Sequence, residues 1–62
     1  MGVEEFWQEL EFRCGIRREV DDMEIMWCSL PDGTPIQIDR PELLNEQERR
    51  EYLNYLLKQY GC

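Results

Sequence analysis

Histidine is absent from this chain of 62 residues, so the commonest general base and one half of most mixed zinc sites are missing together. No G-x-S-x-G elbow occurs, no phosphate-binding glycine loop, and no cysteine lies near an obvious base. Carboxylates could pair for acid-base work, but a chain this short can hardly wall off a water-free cleft. Enzyme activity is therefore not expected, and neither is a cofactor or a metal. Positive charge is also scarce: seven bases stand against fourteen acids, for a formal charge of -7. Without a basic stripe to displace counterions, direct nucleic-acid binding is disfavoured and a basic partner is favoured.

Long apolar runs are missing as well. Nothing approaches the roughly 20 apolar residues needed to cross a bilayer, and MGVEEFWQEL has neither a basic n-region nor an apolar h-region. Phe6 occupies the position where N-myristoylation would want Ser or Thr. A cytoplasmic protein with no membrane contact is expected. The three cysteines, Cys14, Cys28 and Cys62, are odd in number and far apart, which suits neither a disulfide framework nor a zinc site. Reduced thiols are expected, with Cys14 and Cys28 as small buried hydrophobes able to face each other and Cys62 at a frayed end. No repeat, low-complexity tract or linker interrupts the chain, so residues 1–62 read as a single small domain.

What is present is enough for a small core. Apolar residues make up 42%, including two Trp, three Tyr and two Phe, which argues against wholesale disorder. A chain of this size nevertheless buries only about 60% of its unfolded surface, and its core rarely supplies more than about 3 to 5 kcal/mol.

Val3, Phe6, Trp7, Leu10 and Cys14 recur at helical spacing and form one apolar stripe. Gly15 follows as a left-handed C′ residue, with Ile16 placed to touch Leu10 in a Schellman ending. Leu10, Phe12, Cys14 and Ile16 also alternate, as a strand would. The two patterns differ at Phe12, which points to solvent on a helix and into the core on a strand. Next, Met23 to Asp39 reads as a β-hairpin turned by Pro31-Asp32-Gly33. Its register sets Met26 against Ile38, Cys28 against Ile36 and Leu30 against Thr34 on an inner face, leaving Ile25, Trp27 and Ser29 with Pro35 and Gln37 outside. Pro35 cannot donate a ladder bond, so its strand belongs at an edge. Ile16 to Val20 would add a third strand whose Ile16, Arg18 and Val20 share a face, with Asp21-Asp22 turning the chain. Asp39 and Glu42 have capping-box spacing, and Ile38 with Leu43 that of a hydrophobic staple, for a first helical turn at 40–44. A break at Asn45, itself an N-cap with Glu48 at N3, begins a last helix over 46–60.

The expected fold is thus α+β: an N-terminal helix, a two- or three-stranded antiparallel sheet and a C-terminal helix, with both helices on the Met26, Cys28, Leu30, Ile36 and Ile38 face. Partner binding is the expected role. Trp27 and Ile25, extended by Met23, would make an apolar patch wherever no helix or loop covers them. Tyr52, Tyr55 and Gln59 lie off the leucine stripe of the last helix, and tyrosine suits interfaces. Glu5 and Glu9, with Asp21 and Asp22, belong to an acidic set that could imitate DNA phosphates, or simply keep a small protein solvated. The sequence therefore reads as a small acidic adaptor or inhibitor of a larger, locally basic protein, in a narrower version a nucleic-acid mimic of phage or mobile-element origin. The alternative is a structural subunit or homodimer whose outer sheet face is permanently buried.

Overall fold

The first helix begins where Gly2 leaves extended geometry and donates its N–H to the Glu5 carboxylate at 3.4 Å. The computed structural model describes all residues from Met1 to Cys62, and α1 spans Val3–Cys14. Its buried residues, Phe6, Trp7 and Leu10, are the centre of the expected stripe, while Phe12 is 91% exposed, as helical spacing requires. Gly15 ends the helix at φ 68°. Its N–H donates to the Glu11 carbonyl at 3.0 Å, and the Ile16 N–H reaches the Leu10 carbonyl at 3.4 Å. The leading bond is that of the simpler αL ending, so the expected Schellman pattern is not the one formed here. Ile16 still enters the core.

Three antiparallel strands follow: β1 (Arg17–Asp21), β2 (Ile25–Ser29) and β3 (Pro35–Asp39), in the order β1-β2-β3. Between β2 and β3 the register pairs Met26 with Ile38 and Cys28 with Ile36. Residues 30–34 connect them, with the Leu30 N–H on the Thr34 carbonyl at 2.9 Å and the Gly33 N–H on the Leu30 carbonyl at 2.8 Å. The Asp32 carboxylate accepts the Thr34 N–H at 3.0 Å, which holds its pKa below the ordinary value. In β1 the expectation needs correction. A bulge between Arg18 and Val20 shifts the register, pairing Arg18 with Cys28 but Val20 with Trp27. Val20 therefore leaves the face of Arg18 and joins the outer one.

Past Asp39 the expected capping box does not form. Pro41 opens a single 3₁₀ turn (Pro41–Leu43), no side chain caps it, and Glu42 instead receives bonds from Arg40. Pro41 is buried against the helical side, whereas Leu43 is exposed, so no staple joins it to the buried Ile38. The last helix, α2 (Glu46–Gln59), starts as expected. Asn45 accepts the Glu48 N–H at 2.8 Å and donates its own N–H to the Glu48 carboxylate at 2.9 Å. It ends in a full Schellman motif: Gly61 at φ 72°, its N–H on the Lys58 carbonyl at 3.3 Å and the Cys62 N–H on the Leu57 carbonyl at 2.9 Å.

Both helices lie on one face of the sheet. Phe6, Trp7, Leu10, Leu53, Leu56 and Leu57 meet Met26, Cys28 and Ile38 in one buried cluster. At one end of the helix pair the Arg49 guanidinium donates to the Met1 carbonyl at 3.1 Å and to the Pro41 carbonyl at 2.7 Å. At the other end Cys14 and Cys62 form a disulfide with their Cα atoms 5.3 Å apart. The helices thus run side by side in the same direction, N-termini together and C-termini together. This overturns the expectation of reduced thiols and of a free Cys62 end. Only Cys28 remains a thiol, and it is buried beneath the sheet, where desolvation pushes it up to about 11. No helix is long and apolar enough to cross a membrane.

Candidate interaction surface

Because both helices and Pro41 gather on the inner face, the outer face of the sheet is left without a cover. Trp27 stands at its centre on β2, flanked in register by Val20 of β1 and Gln37 of β3. Trp27 is 37% exposed and Val20 61%, with Ile25 half-buried and Pro35 exposed beside them. Charge is sparse here. Arg17 occupies one corner and Asp39 the diagonal one, and the Glu19 carboxylate accepts the Ser29 hydroxyl at 2.7 Å.

At the Ile25 end the face continues into the β1–β2 loop, where Asp22, Met23, Glu24 and Ile25 line a shallow hollow of about 260 Å³. This loop is held rather than loose. Arg40 donates to the Asp21 carboxylate, to the Asp22 carbonyl at 3.3 Å and to the Glu42 carboxylate at 2.6 Å, while its backbone N–H donates to the Glu24 carbonyl at 3.2 Å. The guanidinium keeps the Glu42 carboxyl below the usual carboxylate range. Asp22 caps the Met23 N–H at 2.8 Å. So one cation fixes the loop backbone, and Met23, Glu24 and the Asp22 carboxylate stay at the surface next to the apolar centre.

Both edges of the sheet are closed to an added strand. Along β1, the bulge and the charged side chains of Arg17, Arg18 and Glu19 break the flat row of backbone groups that pairing needs. Along β3, Pro35 has no N–H and the Asp39 N–H is already donated to the Tyr52 hydroxyl at 3.0 Å.

The other nominated residues fall elsewhere. Tyr52 is half-buried, stacked on Phe6 at 6.0 Å and on Tyr55 at 6.2 Å; burial raises its phenol pKa. It joins α2 to the edge of β3. Tyr55, 58% exposed, and Gln59 form an open stripe on α2 at i,i+4. Glu5 serves the start of α1, and Glu9 pairs with Arg13 at 3.3 Å. Together with Gln8, Glu11 and Phe12 they surround a hollow of about 680 Å³, yet all five side chains come from one convex helix, so this is space between splayed side chains and not an enclosed site. Arg18 lies 5.4 Å over the Trp7 ring and 3.8 Å from Glu4, so its long stem closes the core under β1.

Of the nine nominated residues, Trp27, Ile25 and Asp22 come together, Asp21 opposes Met26 in the inner register and holds Arg40, and the others lie apart. Met23 joins them at the Ile25 end, and Val20 and Arg40 belong to this surface without having been singled out. Val20 was hidden by the bulge, and Arg40 by its distance in sequence from the loop it holds. No three acids or thiols converge in the manner of metal ligands. No family model, curated protein or solved structure matches the chain.

Proposed function

We propose that this chain is a small protein-protein interaction module, an adaptor or inhibitor, that grips a larger and locally basic protein with the outer face of its sheet. The observation that supports this reading is Trp27 at the middle of a sheet face that neither helix covers, beside an anchored acidic loop. A central tryptophan ringed by smaller apolar groups has the make-up of an interface hot spot. Asp22, Glu24 and Asp39 at one end add the charge that would draw a basic partner and set its orientation.

Area separates this reading from the homodimer. Three strands about 4.8 Å apart and five residues long at roughly 3.3 Å per residue cover a face of about 240 Å² in projection. A stable interface takes about 800 Å² of accessible surface from each partner. Accessible area exceeds projected area, yet a face this small offers a second copy laid flat upon it less contact than a larger partner that also reaches the flanks. A larger partner can wrap past Ile25 onto the loop. The mimic version receives less support, since Glu4, Glu9 and Asp21 already have arginine partners and Glu19 is bonded to Ser29.

The test is affinity capture from extracts of the native host with the unaltered chain, Trp27→Ala and Tyr55→Ala. Truncating a central tryptophan costs about 2 kcal/mol or more in binding, close to thirtyfold. A protein retained by the unaltered chain and by Tyr55→Ala, but lost with Trp27→Ala at unchanged melting temperature, is the expected result. Equal recovery by Trp27→Ala would remove the sheet face from consideration.

A further inference from the structure

The disulfide is the feature that the interaction reading leaves unused. Cys14 is the last residue of α1 and Cys62 the last of the chain, and a separation of 48 residues lies between them. Each follows or precedes a glycine at positive φ, Gly15 at 68° and Gly61 at 72°, so both helix endings steer a cysteine to the same place. The bond therefore closes a loop containing the sheet, the 3₁₀ turn and α2, and joins the first and last elements of the fold.

Closing a loop of that length removes enough freedom from the unfolded chain to raise the ratio of folded to unfolded molecules about a thousandfold. Against this stands a thin core. Only 11 of 62 residues are buried, every residue of β1 is exposed, and seven uncompensated negative charges repel one another. For chains of this size, burial and conformational entropy nearly cancel. The staple thus supplies most of the margin by which the fold exists.

We propose that folding of this chain is conditional on redox state: the oxidised form is folded, and opening Cys14–Cys62 converts it to a largely unfolded chain. The step needs a cellular thiol as reductant. A thiolate attacks the sulfur of exposed Cys62, the S–S bond breaks, and the electron pair leaves on Cys14, which takes a proton. A second thiol attacks the mixed disulfide, releases Cys62 as a thiol and departs as the oxidised reductant. Cys28 takes no part, because it is buried and its thiol is pushed up to about 11. The module is then active where thiols are oxidised and disarmed where a glutathione pool is reducing, in place of the expected cytoplasmic setting. The inference concerns the fold and stands whether or not Trp27 binds a partner.

The full chain, air-oxidised or reduced with a phosphine, is compared by thermal melting and by amide dispersion in proton-nitrogen spectra. Reduction is expected to lower the melting temperature by more than about 15 °C and to collapse the dispersion. Cys62→Ser should behave as the reduced chain and ignore the phosphine, whereas Cys28→Ala should keep the full response to it. A titration through glutathione buffers should unfold the unaltered chain in step with disulfide loss. A reduced chain that melts within about 5 °C of the oxidised one overturns the proposal, as does recovery of Cys14 and Cys62 as free thiols from the folded, air-oxidised protein.

Discussion

Replacing Gly15 by alanine probes the joint between α1 and the β2–β3 connection. Gly15 holds φ 68°, and an added Cβ would stand 2.8 Å from Cγ of Pro31, with Cβ of the same ring at 3.7 Å and Cδ at 3.9 Å. Two costs combine. An L side chain in the left-handed region costs about 1 to 2 kcal/mol, offset by about 0.4 to 1 kcal/mol from the stiffer unfolded chain. The collision adds an overpacking term of about 1 to 3 kcal/mol, because the Pro31 ring is rigid and its connection is pinned by the Leu30–Thr34 and Gly33–Leu30 bonds. Gly61 is the matched control: φ is 72°, nothing lies within 4 Å of its added Cβ, and like Gly15 it adjoins a disulfide cysteine. In oxidised protein followed by circular dichroism, Gly61→Ala should cost about 1 kcal/mol and lower the melting temperature by roughly 4 to 8 °C. Gly15→Ala should cost about 2 to 4 kcal/mol and lower it by at least about 10 °C. Equal losses from the two substitutions would refute the contact between the end of α1 and Pro31.

Arg40→Gln should release the β1–β2 loop, seen as faster amide exchange at Asp22 to Glu24 and a lower melting temperature with the circular dichroism spectrum retained. The same variant should alter acid sensitivity. Glu42 is held below its usual pKa by the Arg40 guanidinium, so its contribution is complete above the unfolded carboxylate value and is lost as pH falls through the depressed one. Urea midpoints measured between neutral pH and about pH 3 should therefore fall less steeply for Arg40→Gln than for the unaltered chain. Thiol counting with a coloured disulfide reagent should find no reactive thiol in native oxidised protein and one, Cys28, in denaturant, since that thiol is buried and pushed up to about 11. Tyr52→Phe should cost about 0.5 to 1.5 kcal/mol by removing the acceptor of the Asp39 N–H, read as a lower urea midpoint.

Local signals in this chain were legible wherever one residue type answers one backbone need. The apolar stripe of α1, Gly15 at its end and the Asn45–Glu48 box at the start of α2 all lie within a few residues of what they cap. Pairing in the β2–β3 register followed from side chains two apart. What escaped the sequence depends on groups far apart or on a choice between equal signals. Asp39–Glu42 had the spacing of a cap, yet Pro41 prefers a first helical position and Asp39 was needed to finish β3. Nothing in IRREV marks the bulge that carries Val20 over to Trp27. An odd cysteine count concealed the Cys14–Cys62 pair, because the partner choice is made by two parallel helices ending together. Of the candidate surface, Trp27 and Ile25 were readable from alternation, but that neither helix covers them is a matter of tertiary packing.

Acrylamide quenching of tryptophan fluorescence tests the uncovered face most directly, the quencher being neutral so that the acidic surface does not repel it. In Trp7→Phe only Trp27 emits, and in Trp27→Phe only Trp7, which is buried against Phe6. Trp27 should be quenched readily and Trp7 poorly, at every protein concentration, and a captured partner should shield Trp27. A Trp27 already shielded in the free chain, or shielded progressively as the chain is concentrated, would show the face to be covered by the chain itself or by a second copy.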